Sequence, residues 1–174
     1  KHGMKAYLDI LRVELDHDDV PVSVTNIMPA SINTPFFNNA RTKIGVKPVA
    51  IPPLYEPEIV AYAIAQAAAK PIPEIVVGGA GAFFAYSKRF APHLTDMMLR
   101  FIGFRGQKTS EPKSETALTN LFHSLTKDTR VRGDFSNQAR ATSMGTWLET
   151  HPSVRTAIGY GAFLGIVGLL MRKK

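Results

Sequence analysis

Pro29 is the residue that most restricts how this chain can fold. It closes the run Val22-Ser-Val-Thr-Asn-Ile-Met28, in which Val22, Val24, Ile27 and Met28 read as an apolar, β-branched strand over Val22–Met28. Proline has no N–H to give to a central ladder, so the strand is expected to stop there. Small and polar residues follow, Ala30, Ser31, Asn33 and Thr34, before Pro35-Phe36-Phe37. A buried strand that ends in a polar loop is where open α/β sheets place ligands, beyond the carboxyl ends of the strands. The expected class is therefore α/β, with a binding loop after Pro29.

Helical periodicity flanks this strand. Met4, Tyr7, Leu8, Leu11 and Leu15 share one face of a helix over residues 1–15, and Ile10 and Val13 widen the stripe. So wide a stripe calls for burial on two sides, against the sheet and against a partner subunit, and a homo-oligomer is expected. Residues 36–53 show no period and carry Pro48, Pro52 and Pro53. A connection of that length is usually a functional lid or disordered. A second helix is expected over 56–70, with Pro57 in its first turn, and Ile75-Val-Val77 reads as a short buried strand.

From Ala82 to Phe104 two amphipathic helices are expected, broken at Pro92. Phe83, Phe84, Tyr86 and Phe90 make the first aromatic, and Leu94, Met97, Met98, Phe101 and Ile102 line the second. Packing across the open face of the domain explains them, and so does a hydrophobic wall for an apolar substrate or a membrane. Residues 105–150 turn polar, and only Leu118, Leu121, Phe122 and Leu125 offer a short docked helix. The division expected is 1–104 as the folded part, 105–150 as a basic polar linker and 151–174 as a hydrophobic segment.

Net charge is +7, but residues 1–104 hold ten Lys/Arg against nine Asp/Glu, whereas 105–174 hold eleven against five. The excess is scattered along the tail without interleaved aromatic platforms, so no nucleic-acid partner is expected. The chain has no cysteine, which excludes disulfides, thiolate metal sites and a Cys nucleophile. His2, His17, His93, His123 and His151 have no metal-ligand spacing, and no metal is expected. Gly78-Gly-Ala-Gly81 resembles a phosphate loop only locally, because no further strand or acidic ribose partner follows it. The chain starts at Lys1 rather than Met, and a fragment or processed product is expected.

In order and spacing, these elements resemble the C-terminal half of the short-chain dehydrogenase/reductase family. Lys1-His-Gly3 is similar to the end of that family's Tyr-x-x-x-Lys motif, with only the lysine present. Leu8 to Leu15 resembles the helix after it. Val22 to Thr34 resembles the next strand and the Pro-Gly-x-x-x-Thr loop, Leu54-Tyr-Glu-Pro-Glu-Ile-Val-Ala61 a later helix start, and Glu74 to Gly78 the last strand. The resemblance covers residues 1–79. It implies the C-terminal half of a Rossmann-type doubly wound parallel sheet, here followed by amphipathic helices, a polar linker and a C-terminal hydrophobic helix. It also implies NAD or NADP as cofactor and a reaction that interconverts a hydroxyl and a carbonyl. The small-molecule substrate is expected to be apolar and lipid-like.

The same resemblance assigns roles residue by residue. Lys1 matches the lysine that binds the nicotinamide ribose and lowers the pKa of the acid tyrosine. Pro29 matches the loop proline, the backbone of Ser31, Ile32 and Asn33 would meet the nicotinamide carboxamide, and Thr34 would bond carboxamide or phosphate. Ala30 stands where the family has glycine, and would be strained if φ were positive. Thr34 has a second reading as a helix N-cap ahead of Pro35. The family's Gly-rich loop, its tyrosine and its partner serine are not in these 174 residues.

The tail completes the reading. Ala157 to Met171 is fifteen residues without a charge, closed by Arg172-Lys-Lys174. At 1.5 Å per residue fifteen helical residues reach about 22 Å, short of a roughly 30 Å hydrocarbon core. Spanning, shallow insertion and burial on the protein all stay open, with the catalytic part expected on the cytoplasmic side of a membrane. A non-catalytic, membrane-associated interaction module is the alternative to the enzyme.

Overall fold

The computed structural model describes residues 1–126 and 129–172, with Leu169 described by its backbone alone. Lys173 and Lys174, the last two basic residues of the tail, lie outside the described residues. The first element is helix α1 (His2–His17), followed by strand β1 (Asn26–Pro29) and the short helix α2 (Phe36–Asn39). Strand β2 (Val46–Pro48), helix α3 (Glu58–Ala69) and strand β3 (Glu74–Val77) come next. Helices α4 (Gly79–Phe90) and α5 (Pro92–Gly106) precede strand β4 (Lys108–Pro112), and α6 (Met144–Thr150) and α7 (Pro152–Arg172) close the chain.

β1 and β3 pair in parallel, Asn26 opposite Glu74 and Pro29 opposite Val77, whereas β2 and β4 form a separate antiparallel pair. The result is a mixed α/β fold around a small parallel sheet. Its core is Tyr55, Ile59, Ala63, Ala67, Ile75 and Val77, with Ile27, Ala30, Ile32 and Val60 packed against it. The small alanines of α3 let that helix approach β3 closely, and Ile75 and Val77 are fully buried beneath it.

The strand expected over Val22–Met28 forms only from Asn26 and runs through Pro29, a correction at both ends. A ladder begins only where its partner does, and β3 starts after Pro71 and Pro73; Asn26 N–H donates to the Pro73 carbonyl at 2.9 Å. Ala30 N–H donates to Val77 at 2.8 Å. Alternate residues of a parallel strand serve one neighbour. Asn26 and Ala30 therefore bond β3, and the missing N–H of Pro29 falls on the opposite edge. That placement is how a proline is tolerated inside a strand.

Helix α1 is only half-seated. Leu8, Leu11 and Leu15 are half-buried, but Met4, Tyr7, Ile10 and Val13 are exposed, and no residue of α1 is buried. Arg12 donates to the Pro73 carbonyl at 3.3 Å and Lys5 pairs with Glu74, tying the helix to the start of β3. Residues 105–150, expected as a linker, instead fold back on the sheet. They supply β4 and α6, and Gly133, Thr146, Glu149 and Thr150 are buried. The helix expected around Leu118–Leu125 does not form, and Leu118 and Phe122 face solvent in a turn region.

Burial in the core predicts a clear contrast between two substitutions. Ile75→Ala empties a fully buried site and should cost about 2–5 kcal/mol. Leu118→Ala, at an exposed site, should stay within about 0.5 kcal/mol. Urea unfolding of the protein that carries this chain measures both. Equal shifts in midpoint would place the core elsewhere.

Candidate functional site

The loop after β1 lines one cleft with the start of α1. Lys1, Ala30, Ser31, Ile32, Thr34, Phe36, Phe37, Val49, Ala50, Ile51 and Gln107 surround a space of about 460 Å³. Four of the expected site residues, Lys1, Ser31, Ile32 and Thr34, are thus brought together although 30 residues separate Lys1 from Ser31. Pro29 instead lines an apolar groove of about 560 Å³ on the other side of the loop, with Ile32, Thr34, Val60, Ala61, Ile64 and Val131. Asn33 is buried beneath the loop and lines neither space.

Some polar groups of the residues that line the cleft are unpaired. Lys1 is exposed. Among the described residues the Ile32 N–H and the Thr34 hydroxyl make no hydrogen bond, whereas the Ile32 carbonyl accepts from Thr34 N–H at 3.0 Å. The N-cap of α2 is Pro35 and no side chain caps that helix, so Thr34 does not serve as its cap. Ala30 has a φ outside the left-handed region and is unstrained in place of glycine. Phe36 and Phe37 meet edge-to-face at 5.2 Å and give the cleft an apolar wall.

The glycines of Gly78-Gly-Ala-Gly81 have another purpose than binding phosphate. A Cβ at Gly78 would lie 2.8 Å from the Tyr55 ring and 2.9 Å from the Ala30 methyl, and one at Gly81 would lie 3.2 Å from the same methyl. Gly78 also holds φ at +98°, a conformation few side chains adopt. The N–H groups at this turn are already used. Gly78 donates to Thr146 Oγ1 at 2.8 Å, Gly79 to Ser143 Oγ at 3.1 Å and Ala80 to the Tyr55 hydroxyl at 3.3 Å.

Residues 36–53, expected as a lid or a disordered connection, form a wall stapled by the segment after α5. Val46 pairs with Pro112 and Pro48 with Lys108, and Val49 N–H donates to the Gln107 carbonyl at 3.0 Å. Lys113 donates to the carbonyls of Phe37, Asn38 and Ala40 at 3.0, 2.7 and 2.9 Å, closing the end of α2. Lys47 bonds Asp134 at 2.8 Å. That hydrogen bond first, with others from Asn38 and Arg130, holds the Asp134 carboxyl down from 3.8 to about 2. Sequence reasoning missed Gln107, Lys113 and Asp134, since isolated polar residues in a polar stretch carry no periodic signal.

A curated protein of Bacillus subtilis (strain 168), the uncharacterized oxidoreductase YxnA, is 32% identical to this chain over 165 residues. The match takes in 92% of this chain and 45% of the relative, so the chain spans about half the length of the protein it resembles. No family model matches the chain, and no solved structure matches it.

The Lys47–Asp134 tie should be acid-labile. Its stabilisation is present above the ordinary carboxylate range and is lost as pH falls toward about 2, because the folded-state value lies below the unfolded one. With Asp134 partly exposed, solvent screening limits the tie to about 1 kcal/mol. Asp134→Asn should lower stability by that amount near pH 7 and match the unsubstituted protein near pH 2. Denaturant midpoints across pH test it, and a gap that stays constant with pH would count against the ion pair.

Proposed function

We propose that the protein carrying this chain is an NAD(P)-dependent oxidoreductase of the short-chain dehydrogenase/reductase type, with a Rossmann-type sheet completed outside these residues. The observation that carries the reading is the meeting of Lys1 with Ser31, Ile32 and Thr34 in one cleft at the carboxyl end of β1. The likeness to an oxidoreductase over most of the chain supports the same class of chemistry. The groups present fit the nicotinamide end of a dinucleotide. The free Ile32 N–H and the Thr34 hydroxyl suit its carboxamide and phosphate, and the Lys1 ammonium suits its ribose hydroxyls. The cofactor supplies hydride transfer when bound.

In this reading Lys1 does two things. Its ammonium orients the ribose, and its charge stabilises the phenolate form of the acid tyrosine, bringing an acid of pKa about 10 toward neutrality. The tyrosine then gives or takes the proton at the substrate oxygen. Ile32 and Thr34 would hold the nicotinamide carboxamide and phosphate, and Phe36 and Phe37 line the side where an apolar substrate would lie. The substrate is a small, lipid-like alcohol or carbonyl compound. The exposed stripe of Met4, Tyr7, Ile10 and Val13 on α1 meets a second copy of the protein.

Helix α7 attaches the enzyme to a membrane. It is long and apolar enough to cross one, with none of its apolar stretch buried. A second reading, a non-catalytic membrane-associated module, draws on the same helix and on exposed Phe90, Phe101 and Phe104. Hydride transfer separates the two.

Lys1→Met in the protein that carries this chain should lower kcat/KM by about 10²–10⁴-fold, the usual scale of general acid–base catalysis. Near-normal kcat/KM would refute the role of Lys1, and no hydride transfer from either NADH or NADPH to any carbonyl would favour the module. Deleting residues 153–174 should release the protein from the membrane fraction with activity retained. Pelleting after a carbonate wash would show that α7 is not the anchor.

A further inference from the structure

Asn33 is the most completely engaged polar residue of the loop, and it is 1% exposed. Its amide nitrogen donates to Ser136 Oγ at 2.9 Å and to Glu56 Oε2 at 3.3 Å, and its amide oxygen accepts from Phe135 N–H at 3.1 Å. Its backbone is equally committed, N–H to the Tyr55 carbonyl at 2.8 Å and carbonyl from Gly133 N–H at 3.1 Å. Three of these five partners come from residues 133–136, about a hundred positions away in sequence. Gly133 sits so close that a Cβ there would lie 2.6 Å from Asn33 Oδ1 and 2.7 Å from the Thr34 carbonyl.

We infer that Asn33 is a positioning residue, through which the segment Gly133–Ser136 sets the geometry of Ile32 and Thr34 in the cleft. The inference rests on the dinucleotide reading of that cleft. Ile32 and Thr34 flank Asn33 directly, so their free N–H and hydroxyl point where the Asn33 backbone lets them. An amide held by two acceptors and a donor has one orientation, and a loop pinned at its middle residue is preorganised for its ligand. Without the segment, Asn33 would keep only its bonds to Tyr55 and Glu56, and residues 31–34 would lose three of the five bonds made through it. The segment also reaches the other wall, since Asp134 holds Lys47 of β2. One strap thus spans both sides of the cleft.

Gly133→Ala is the sharpest test, because it changes the strap and leaves every loop residue intact. Gly133 does not have a positive φ, so alanine is compatible with the backbone and only the space is missing. In the whole protein we expect faster amide exchange at residues 31–34, a KM for the dinucleotide raised at least tenfold, and kcat changed less than threefold. Ser136→Ala, which deletes one bond without crowding, should move both readouts the same way by less, and serves if Gly133→Ala fails to fold. Unchanged exchange at 31–34 in both variants overturns the coupling. So does faster exchange that leaves the KM for the dinucleotide unchanged. A kcat loss with KM unchanged assigns the strap to the chemical step and also overturns it. If the unsubstituted protein turns over no dinucleotide, the functional reading has failed, and the exchange at 31–34 still decides whether the strap holds the loop.

Discussion

Residues Leu54–Glu56 run between two other segments and give their backbone hydrogen bonds to both. Tyr55 N–H donates to Ser31 and its carbonyl accepts from Asn33, while Arg140 N–H donates to Leu54 and Glu56 N–H to Arg140. This parallel stitch joins the loop after β1 to a residue 85 positions beyond Tyr55. The Tyr55 side chain then caps a third region, lying over Gly78 and accepting from Ala80 N–H. A buried backbone must be paired somewhere, and here the pairing of one residue fixes loop, strap and helix start together. The cleft, the Asn33 hub and the turn into α4 all depend on it.

The close packing under Tyr55 explains residue types that otherwise mislead. Ala30 in place of glycine costs nothing at its own position, and its methyl takes the space that side chains at 78 and 81 would need. Glycines at 78 and 81 are therefore the counterpart of alanine at 30. What looks like a phosphate loop is a close approach of backbone to a methyl group and an aromatic ring. Three hydroxyls of the chain satisfy the N–H groups that an anion would otherwise bind.

Elements that announce themselves by apolar pattern were legible. α3, α5 and β3 form within two residues of where their periodicity puts them, and Pro92 begins α5 as its fixed φ allows. Lys1, Ser31, Ile32 and Thr34 were legible as a group only through resemblance, because nothing in their local pattern places Lys1 beside a loop 30 residues on. The segment from Lys108 to Thr150 was not legible. It docks through glycine, backbone groups and short hydroxyl side chains, all of which also compose a solvated linker. The one local signal was Ser143 three residues before Thr146, an N-cap whose oxygen accepts from Thr146 N–H at 3.2 Å. The expected strand start at Val22 failed for a non-local reason, since β3 offers no partner before Glu74.

Helix α7 differs from α1 in its charge. α1 carries Lys5, Asp9, Arg12, Glu14 and Asp16 among its apolar residues. On α7 the exposed apolar residues Ile158, Tyr160, Phe163, Leu164, Ile166 and Leu170 wrap most of the circumference. A helix lying in a membrane interface needs a charged or polar face, and between Arg155 and Arg172 this one has only Thr156, Tyr160 and glycines to offer. If α7 meets a membrane as proposed above, insertion suits its chemistry better than lying flat. The sixteen residues between the two arginines cover about 25 Å, less than a roughly 30 Å hydrocarbon core. Arginine side chains that extend along the helix axis toward the headgroups make up such a difference. Arg155, however, is held by Glu149 of α6 at 2.6 Å. Full spanning would thus press α6 against the headgroups or break that pair.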